Sequence, residues 1–207
     1  VERSYDSMAY ASQDPWIMDR TVKENITMGL ELDQKWYDTV VDACGLRLDF
    51  SQFVNGDQTI VGDRSVQCSG GQRACLGLAR AMYRDADVLF VDNPLSAVDV
   101  KVGRQLFNEA LLGLAVNRGK CVILATHQHQ YVNDYSCVLM VGGHIEKIGS
   151  YKECVAAAGG KLTAHAADDA VDILEVGEAV PQKTPYTEKE KVSNDSIIDA
   201  DKGHKGG

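Results

Sequence analysis

Residues 69 to 72 of this sequence, Ser69-Gly70-Gly71-Gln72, form a stretch that can bind an anion. A helical pattern of apolar residues follows, so the free backbone N–H groups and the dipole of a helix N-terminus would lie at Ser69. Gly70 and Gly71 would let a phosphate approach the backbone closely. On its own, the same string is also typical of an ordinary serine-capped helix after a glycine turn.

A carboxylate follows an apolar run that is typical of a strand. The run is Asp87 to Val91, and Asp92 comes directly after it. If the strand lies in a parallel sheet, Asp92 lies at the carboxyl edge, where ligands usually bind. A carboxylate there can hold Mg²⁺ directly or through water. Taken alone, however, an acid at the end of a strand is also a common turn residue.

Two more polar side chains follow predicted strands. His127 comes after Cys121 to Thr126 and would share the sheet edge with Asp92, although a single histidine at such a place is often structural. His129 has no comparable position and is expected to face solvent. Gln13 follows the short strand pattern Met8 to Ser12, and its carboxamide oxygen can ligate Mg²⁺ and orient water.

An amide, Asn93, follows Asp92 directly, and the S-x-x-D string Ser96 to Asp99 comes next. A carboxylate at residue 93 could act as a general base toward water, whereas an amide cannot accept that proton. The order of these groups along the chain is more specific than any one of them. It runs from the glutamine through S-G-G-Q, the strand with its acid and S-x-x-D to the strand with its histidine.

The patterns that would position these groups alternate between strands and helices. Val88 to Val91 and Cys121 to Thr126 are uniformly apolar, which predicts strands buried on both faces of a parallel sheet. Val100 to Val116 is predicted to be the helix that connects them. The spacing of Trp36, Tyr37, Val40 and Val41 predicts a helix over Gln34 to Ala43.

Capping and turn residues predict the remaining elements. Thr21, with Glu24 three residues later, can cap a short helix. Ser136 to Val141 and His144 to Ile148 flank two glycines and predict a hairpin. Residues 156 to 207 carry an alanine-glycine run, two prolines, one aromatic residue and a mixed-charge ending, so we expect an acidic linker or a disordered tail there.

Composition and charge exclude several classes of protein. The formal net charge of -9 and the pI near 5.0 argue against a nucleic-acid partner, which would require clustered Lys and Arg. The six cysteines show no C-x-x-C pair, so we expect reduced thiols rather than a zinc or redox site. No apolar run approaches the ~20 residues needed to cross a bilayer, so any membrane association would come through a partner or another domain.

In their order, these elements resemble the ATP-binding cassette (ABC) ATPases. Gln13 resembles the Q-loop glutamine, Cys68 to Gln72 the signature, Asp92 the Walker B acid, Ser96 to Asp99 the D-loop and His127 the switch histidine. Four longer strings resemble the first nucleotide-binding domain of the C subfamily, the multidrug-resistance-associated transporters. They are SQDPWIMDRTVKENITMG, VGDRSVQCSGGQ, DNPLSAVDVKVGRQLFNEAL and GGHIEKIGSYKE.

The resemblance implies an α/β fold of the P-loop NTPase type, with a largely parallel sheet and a helical signature subdomain at about residues 20 to 83. The partial nucleotide-binding domain would span residues 1 to 155. ATP and Mg²⁺ are the implied ligands, with Gln13 and Asp92 at the metal. The implied partners are a second, head-to-tail nucleotide-binding domain and the transmembrane domains of the same transporter, at the cytoplasmic face of a plasma or organellar membrane.

Departures from the family pattern limit this expectation. No G-x-x-x-x-G-K-[S/T] string occurs in the sequence, so we expect an N-terminally truncated fragment without the Walker A loop and its strands, which binds MgATP no tighter than millimolar. Asn93 replaces the glutamate that is the family's catalytic base, which predicts slow turnover. Cys68, Ser65 and Cys75 stand where Leu, Gly and Arg are usual.

Two alternatives remain open from the sequence alone. One is a soluble, non-transport ABC ATPase of the chromosome-maintenance or translation type, which shares the signature and the D-loop. The acidic charge and the lack of long heptads weigh against it. The other is a non-hydrolytic regulatory or binding module.

Overall fold

The computed structural model describes residues 7–132 and 135–159 of the chain. Its central sheet has three parallel strands in the order β1-β4-β5, which are Met8–Ala11, Val88–Asp92 and Cys121–Ala125. The register pairs Met8 with Val88, and Val88 in turn with Cys121. The predicted parallel sheet is therefore confirmed, and the carboxyl ends of its three strands share one edge.

One face of this sheet packs against the core, and most residues of the other face are exposed, although Val88 on that face is buried. Ala9, Ala11, Leu89 and Val91 turn toward the core, where β1 contacts the helix Gly70–Tyr83 and β5 contacts the helix that precedes it. On the opposite face Phe90 is 37% exposed and Ile123 is 49% exposed. The prediction of strands buried on both faces is wrong for the described residues, because an apolar run does not specify how many layers cover it.

Four helices and a two-stranded ribbon lie between β1 and β4. The ribbon pairs β2 (Arg20–Thr21) with β3 (Ile60–Val61), and the helices are α1 (Val22–Thr27), α2 (Gln34–Ala43), α3 (Arg47–Gln52) and α4 (Gly70–Tyr83). The predicted bounds of α2 are confirmed. Thr21 and Glu24 form the predicted capping box of α1, in which each side chain bonds the other's backbone N–H.

The connection from β4 to β5 is helical, as predicted. It starts as α5 (Val100–Gln105) and continues through a π-helical stretch, Leu106–Ala115. Leu106, Ala110 and Leu111 are buried, so one face of this connection completes the core.

A hairpin and a short helix end the described part of the chain. Strands β6 (Ser136–Val141) and β7 (His144–Ser150) pair antiparallel, which confirms the predicted hairpin, and α6 (Tyr151–Ala157) follows. Ala156 and Ala157, the first residues of the expected linker, belong to α6. The rest of that expected segment, from residue 160 to 207, lies outside the described residues.

Candidate functional site

Asp92, the last residue of β4, lies at the carboxyl edge of the parallel sheet. One of its oxygens, Oδ2, accepts a hydrogen bond of 3.0 Å from the hydroxyl of Tyr10 on β1. This bond raises the pKa of Tyr10 above its ordinary value, because only the protonated phenol can donate to the carboxylate. Among the described residues, no other group bonds the Asp92 carboxylate.

Asn93 turns the chain sharply after Asp92. Its φ of 47° is left-handed, a conformation that asparagine tolerates better than most residues. The backbone N–H of Asn93 donates to the carbonyl of Ala125 at 2.8 Å, and the Asn93 carbonyl accepts from the Ser96 hydroxyl at 2.8 Å. The side chain is 9% exposed, and its buried Oδ1 has no hydrogen-bond partner among the described residues.

His127 lies just beyond β5, next to β4, so it shares an edge with Asp92 and Asn93 as predicted. It is exposed, and so is Gln13, which lies two residues after β1 on the other side of β4. His129 is half-buried against the ring of Tyr151, with ring centroids 5.6 Å apart, so the expectation that it faces solvent is wrong.

Ser69 is the N-cap of α4. Its hydroxyl oxygen accepts from the backbone N–H of Gln72, while the Gln72 carboxamide oxygen accepts from the backbone N–H of Ser69. The other end of the Gln72 amide donates to Asp49 at 2.8 Å. Gln72 is therefore occupied inside the chain, whereas the Ser69 hydroxyl hydrogen remains available to a further acceptor.

The start of α4 and residues 97 to 99 meet at one cavity of about 300 Å³. A Cβ on Gly71 would lie 3.2 Å from the carbonyl oxygen of Ala97, so the two segments approach closely because residue 71 has no side chain. Asp99 caps α5 by accepting from the N–H of Val102 at 2.9 Å. Ser96 is exposed beside this junction.

Two thiols lie near the start of α4, and neither is an ionised nucleophile. Burial raises the pKa of Cys75, which lines the cavity, to about 12. Burial also raises the pKa of the half-buried Cys68. Because the thiolate is the reactive form, both side chains act as packing groups at neutral pH.

The loop after β1 is attached to α4 by contacts that the sequence patterns did not reveal. Arg73 pairs with Asp14 at 2.8 Å, and Arg80 donates to the carbonyl oxygen of Trp16 at 2.9 Å. Between them, Gly77 faces Pro15. Arg73, Gly77 and Arg80 have the i, i+4, i+7 spacing of one helix face, which is the signal that could have found this contact.

The carboxyl edge of the sheet suits a magnesium ion that is coordinated mainly by a bound phosphate group and water, with few protein side chains. The described residues contain no group of three or more His, Cys, Asp or Glu side chains that could enclose a metal. Mg²⁺ in phosphate-binding sites commonly takes only one or two protein carboxylates and completes its shell with phosphate and water. Asp92, with one oxygen free at an exposed edge, meets that requirement, and Gln13 supplies an amide oxygen near the same edge.

Comparison with known proteins identifies the family. Residues 2–96 match the family model described as ABC transporter. The chain belongs to the ABC transporter family. It is 42% identical over 192 residues to ABC transporter C family member 7 of Arabidopsis thaliana. The aligned region covers 90% of this chain and 13% of that protein.

Two further relatives have a similar sequence identity to this chain. ATP-binding cassette sub-family C member 4 of Mus musculus is 42% identical over 147 residues, or 70% of this chain and 11% of the relative. ATP-binding cassette transporter abc2 of Schizosaccharomyces pombe is 42% identical over 148 residues, or 71% of this chain and 10% of the relative. The chain thus spans a small part of the length of the ABC transporters it matches.

Membership of the ABC family implies the P-loop NTPase type of α/β fold, and the parallel sheet with its helices agrees with it. Within the described residues, every helix is too short or too polar to span a membrane.

Proposed function

We propose that this chain is part of the first nucleotide-binding domain of a C-subfamily ABC exporter, and that its own ATP site holds ATP more than it cleaves it. The observation that carries the proposal is Asn93, an amide held next to the candidate Mg²⁺ ligand Asp92 at the edge of the sheet. The order of Gln13, S-G-G-Q, Asp92, S-x-x-D and His127 supports ATP as the nucleotide.

Asn93 explains slow turnover through its inability to act as a base. A carboxylate at this place accepts a proton as water attacks the γ-phosphate, and such assistance contributes ~10² to 10⁴ in rate. The amide has the shape of a carboxylate but no basic oxygen. Burial and the backbone bonds to β5 and Ser96 fix residue 93 at the edge of the sheet.

Asp92 and Gln13 would hold Mg²⁺ in this proposal, and the ion would neutralise charge on the β- and γ-phosphates. His127, exposed at the end of β5 beside β4, is free to contact the γ-phosphate. Asp92, Asn93 and His127 therefore serve the chain's own site. The whole set stands at the edge where open α/β sheets bind their ligands.

Ser69, Gly70 and Gly71 would serve the opposite site in a head-to-tail pair with a second nucleotide-binding domain. The helix N-terminus and the free Ser69 hydroxyl hydrogen suit an anion. The D-loop, Ser96 to Asp99, adjoins them through the Gly71–Ala97 contact, so one continuous surface would meet the second domain.

The loop Gln13 to Trp16 would connect this pairing to the transmembrane domains. Trp16 is 68% exposed, whereas its backbone is bonded to Arg80 of α4. A movement of α4 when ATP closes the two domains would therefore carry the exposed indole with it. The protein would act at the cytoplasmic face of the membrane that holds those domains.

The ATPase rate of the full-length transporter carrying Asn93→Glu tests this proposal. A carboxylate at residue 93 should raise the rate at this site by at least tenfold if the missing base limits it. Asn93→Gln is the matched control, because it has the length of glutamate without the charge, and it should leave the rate low. An Asn93→Glu protein that binds ATP normally and hydrolyses it no faster would refute the assignment.

A further inference from the structure

Tyr10 and Asp92 are diagonal neighbours on the same face of the central sheet. The register pairs Tyr10 with Phe90, and Asp92 lies two residues further along β4. Residues two apart on a strand project from the same face, so the phenol of Tyr10 reaches forward to the end of the next strand. Its hydroxyl donates to Asp92 Oδ2 at 3.0 Å.

This hydrogen bond makes the two oxygens of the Asp92 carboxylate inequivalent. Oδ2 is occupied by Tyr10, whereas Oδ1 has no partner among the described residues. A carboxylate on its own rotates about its last torsion over a broad range. The bond from a phenol fixed on a neighbouring strand restricts that rotation and keeps one oxygen directed away from Tyr10.

We infer that Tyr10 is a positioning residue for the metal ligand Asp92, which it holds so that the second oxygen can bind Mg²⁺. The inference rests on the function proposed above and adds a residue that lies outside the motifs by which the chain resembles its family. Groups that hydrogen-bond a metal ligand orient it, and their loss typically reduces metal affinity by about ten- to hundredfold.

Another tyrosine in the same chain makes an equivalent bond away from the candidate metal ligands. Tyr37 on α2 donates to Asp57 Oδ2, also at 3.0 Å, inside the helical region between β1 and β4. Tyr37 is almost fully buried, whereas Tyr10 is 60% exposed. An exposed bond of this kind contributes little to folding, so a large effect of Tyr10 on metal binding would not follow from stability alone.

The test is Mn²⁺ binding to the full-length transporter with saturating ATP, followed by electron paramagnetic resonance. Mn²⁺ replaces Mg²⁺ as a visible probe at oxygen ligands. Asp92→Asn defines the part of the titration that belongs to this site. Tyr10→Phe keeps the ring and removes the hydroxyl alone, and Tyr37→Phe is the matched control for loss of a Tyr–Asp bond elsewhere.

We expect Tyr10→Phe to weaken the Asp92-dependent Mn²⁺ binding by about tenfold or more. Its affinity for ATP, measured in the presence of a chelator, and its melting temperature should both stay close to those of the unmodified protein. Tyr37→Phe should leave Mn²⁺ binding unchanged even if it lowers the melting temperature. Equal Mn²⁺ affinity in Tyr10→Phe and the unmodified protein would overturn the inference and leave the role of Asp92 intact. If Asp92→Asn changes nothing, both the metal assignment and the role of Tyr10 are wrong.

Discussion

Gly77 of α4 lies so close to Pro15 that a Cβ on residue 77 would be 2.5 Å from the Cβ of the proline. The loop after β1 therefore packs directly on α4, the helix that starts at Ser69-Gly70-Gly71-Gln72. Asp14 and Trp16, on either side of Pro15, bond Arg73 and Arg80 of the same helix. Because of these three contacts, we expect the loop and the helix to move together.

Gly77→Ala should destabilise the protein by about 1 to 3 kcal/mol, because the added methyl group overpacks a site that is already in contact. The usual gain in helix propensity from glycine to alanine, about 1 kcal/mol, acts in the opposite direction and is included in that range. Urea unfolding of the variant and the unmodified protein measures the difference.

Gly70→Ala is the control for this prediction, since it makes the same change in the same helix where nothing lies within 4 Å of the new Cβ. It should be neutral or slightly stabilising. If Gly77→Ala were as stable as Gly70→Ala, the close contact with Pro15 would not exist in solution.

Arg80→Lys should cost about 2 kcal/mol of folding free energy. Arg80 donates to the carbonyl of Asn25 at 2.8 Å, to the side-chain oxygen of Asn25 at 3.1 Å and to the carbonyl of Trp16. Lysine cannot reproduce this planar fork, and each lost bond to a charged donor is worth about 1.5 to 3 kcal/mol before lysine recovers part of it.

Chemical denaturation again provides the measurement, and Arg104→Lys is the control because Arg104 is exposed on α5. A loss below about 0.5 kcal/mol in Arg80→Lys would show that the fork is not formed. A second readout is proteolysis within residues 13 to 18, which should become faster when Trp16 loses its bond.

The capping boxes predict a loss of stability in acid. Hydrogen bonds from Thr21 lower the pKa of Glu24 below its ordinary value, and bonds from Ser150 lower the pKa of Glu153 in the same way. A carboxylate whose pKa is lower in the folded state stabilises the fold above its unfolded pKa, and this contribution is lost as pH falls through the folded pKa. Glu24→Gln should therefore flatten the decline of stability from about pH 5 downward.

Urea midpoints at pH 6, 5, 4 and 3 for the unmodified protein and Glu24→Gln measure that slope. Glu146→Gln is the control, because Glu146 is exposed on β7 and takes part in no capping box. Equal flattening in both variants would contradict the assignment to the box.

Local patterns predicted most of the elements in the described part of the chain. The bounds of α2 followed from helical spacing and its end before Gly45, and the box at Thr21 followed from the glutamate three residues later. These features depend on residues that are neighbours in sequence. The burial of the sheet depends on what covers each face, and for that reason Phe90 and Ile123 were predicted to be buried and are not.

The part of the candidate site that could be predicted depends on one rule: the carboxyl ends of parallel strands meet at the same edge of a sheet. That rule brought Asp92 and His127 together, and the structure places both at the carboxyl ends of adjacent strands. Contacts between distant segments were missed, among them Tyr10 with Asp92 and Asp49 with Gln72. They depend on strand register and helix placement, which no spacing within one segment encodes.

The cap on Ser69 has a consequence for what the start of α4 can recognise. The serine oxygen accepts one hydrogen bond from the backbone N–H of Gln72, so its hydroxyl hydrogen can donate a hydrogen bond outward. This hydrogen lies at the positive end of the dipole of α4, where a donor favours oxygen that carries negative charge. The start of α4 thereby favours a negatively charged partner over a positively charged one before any partner binds.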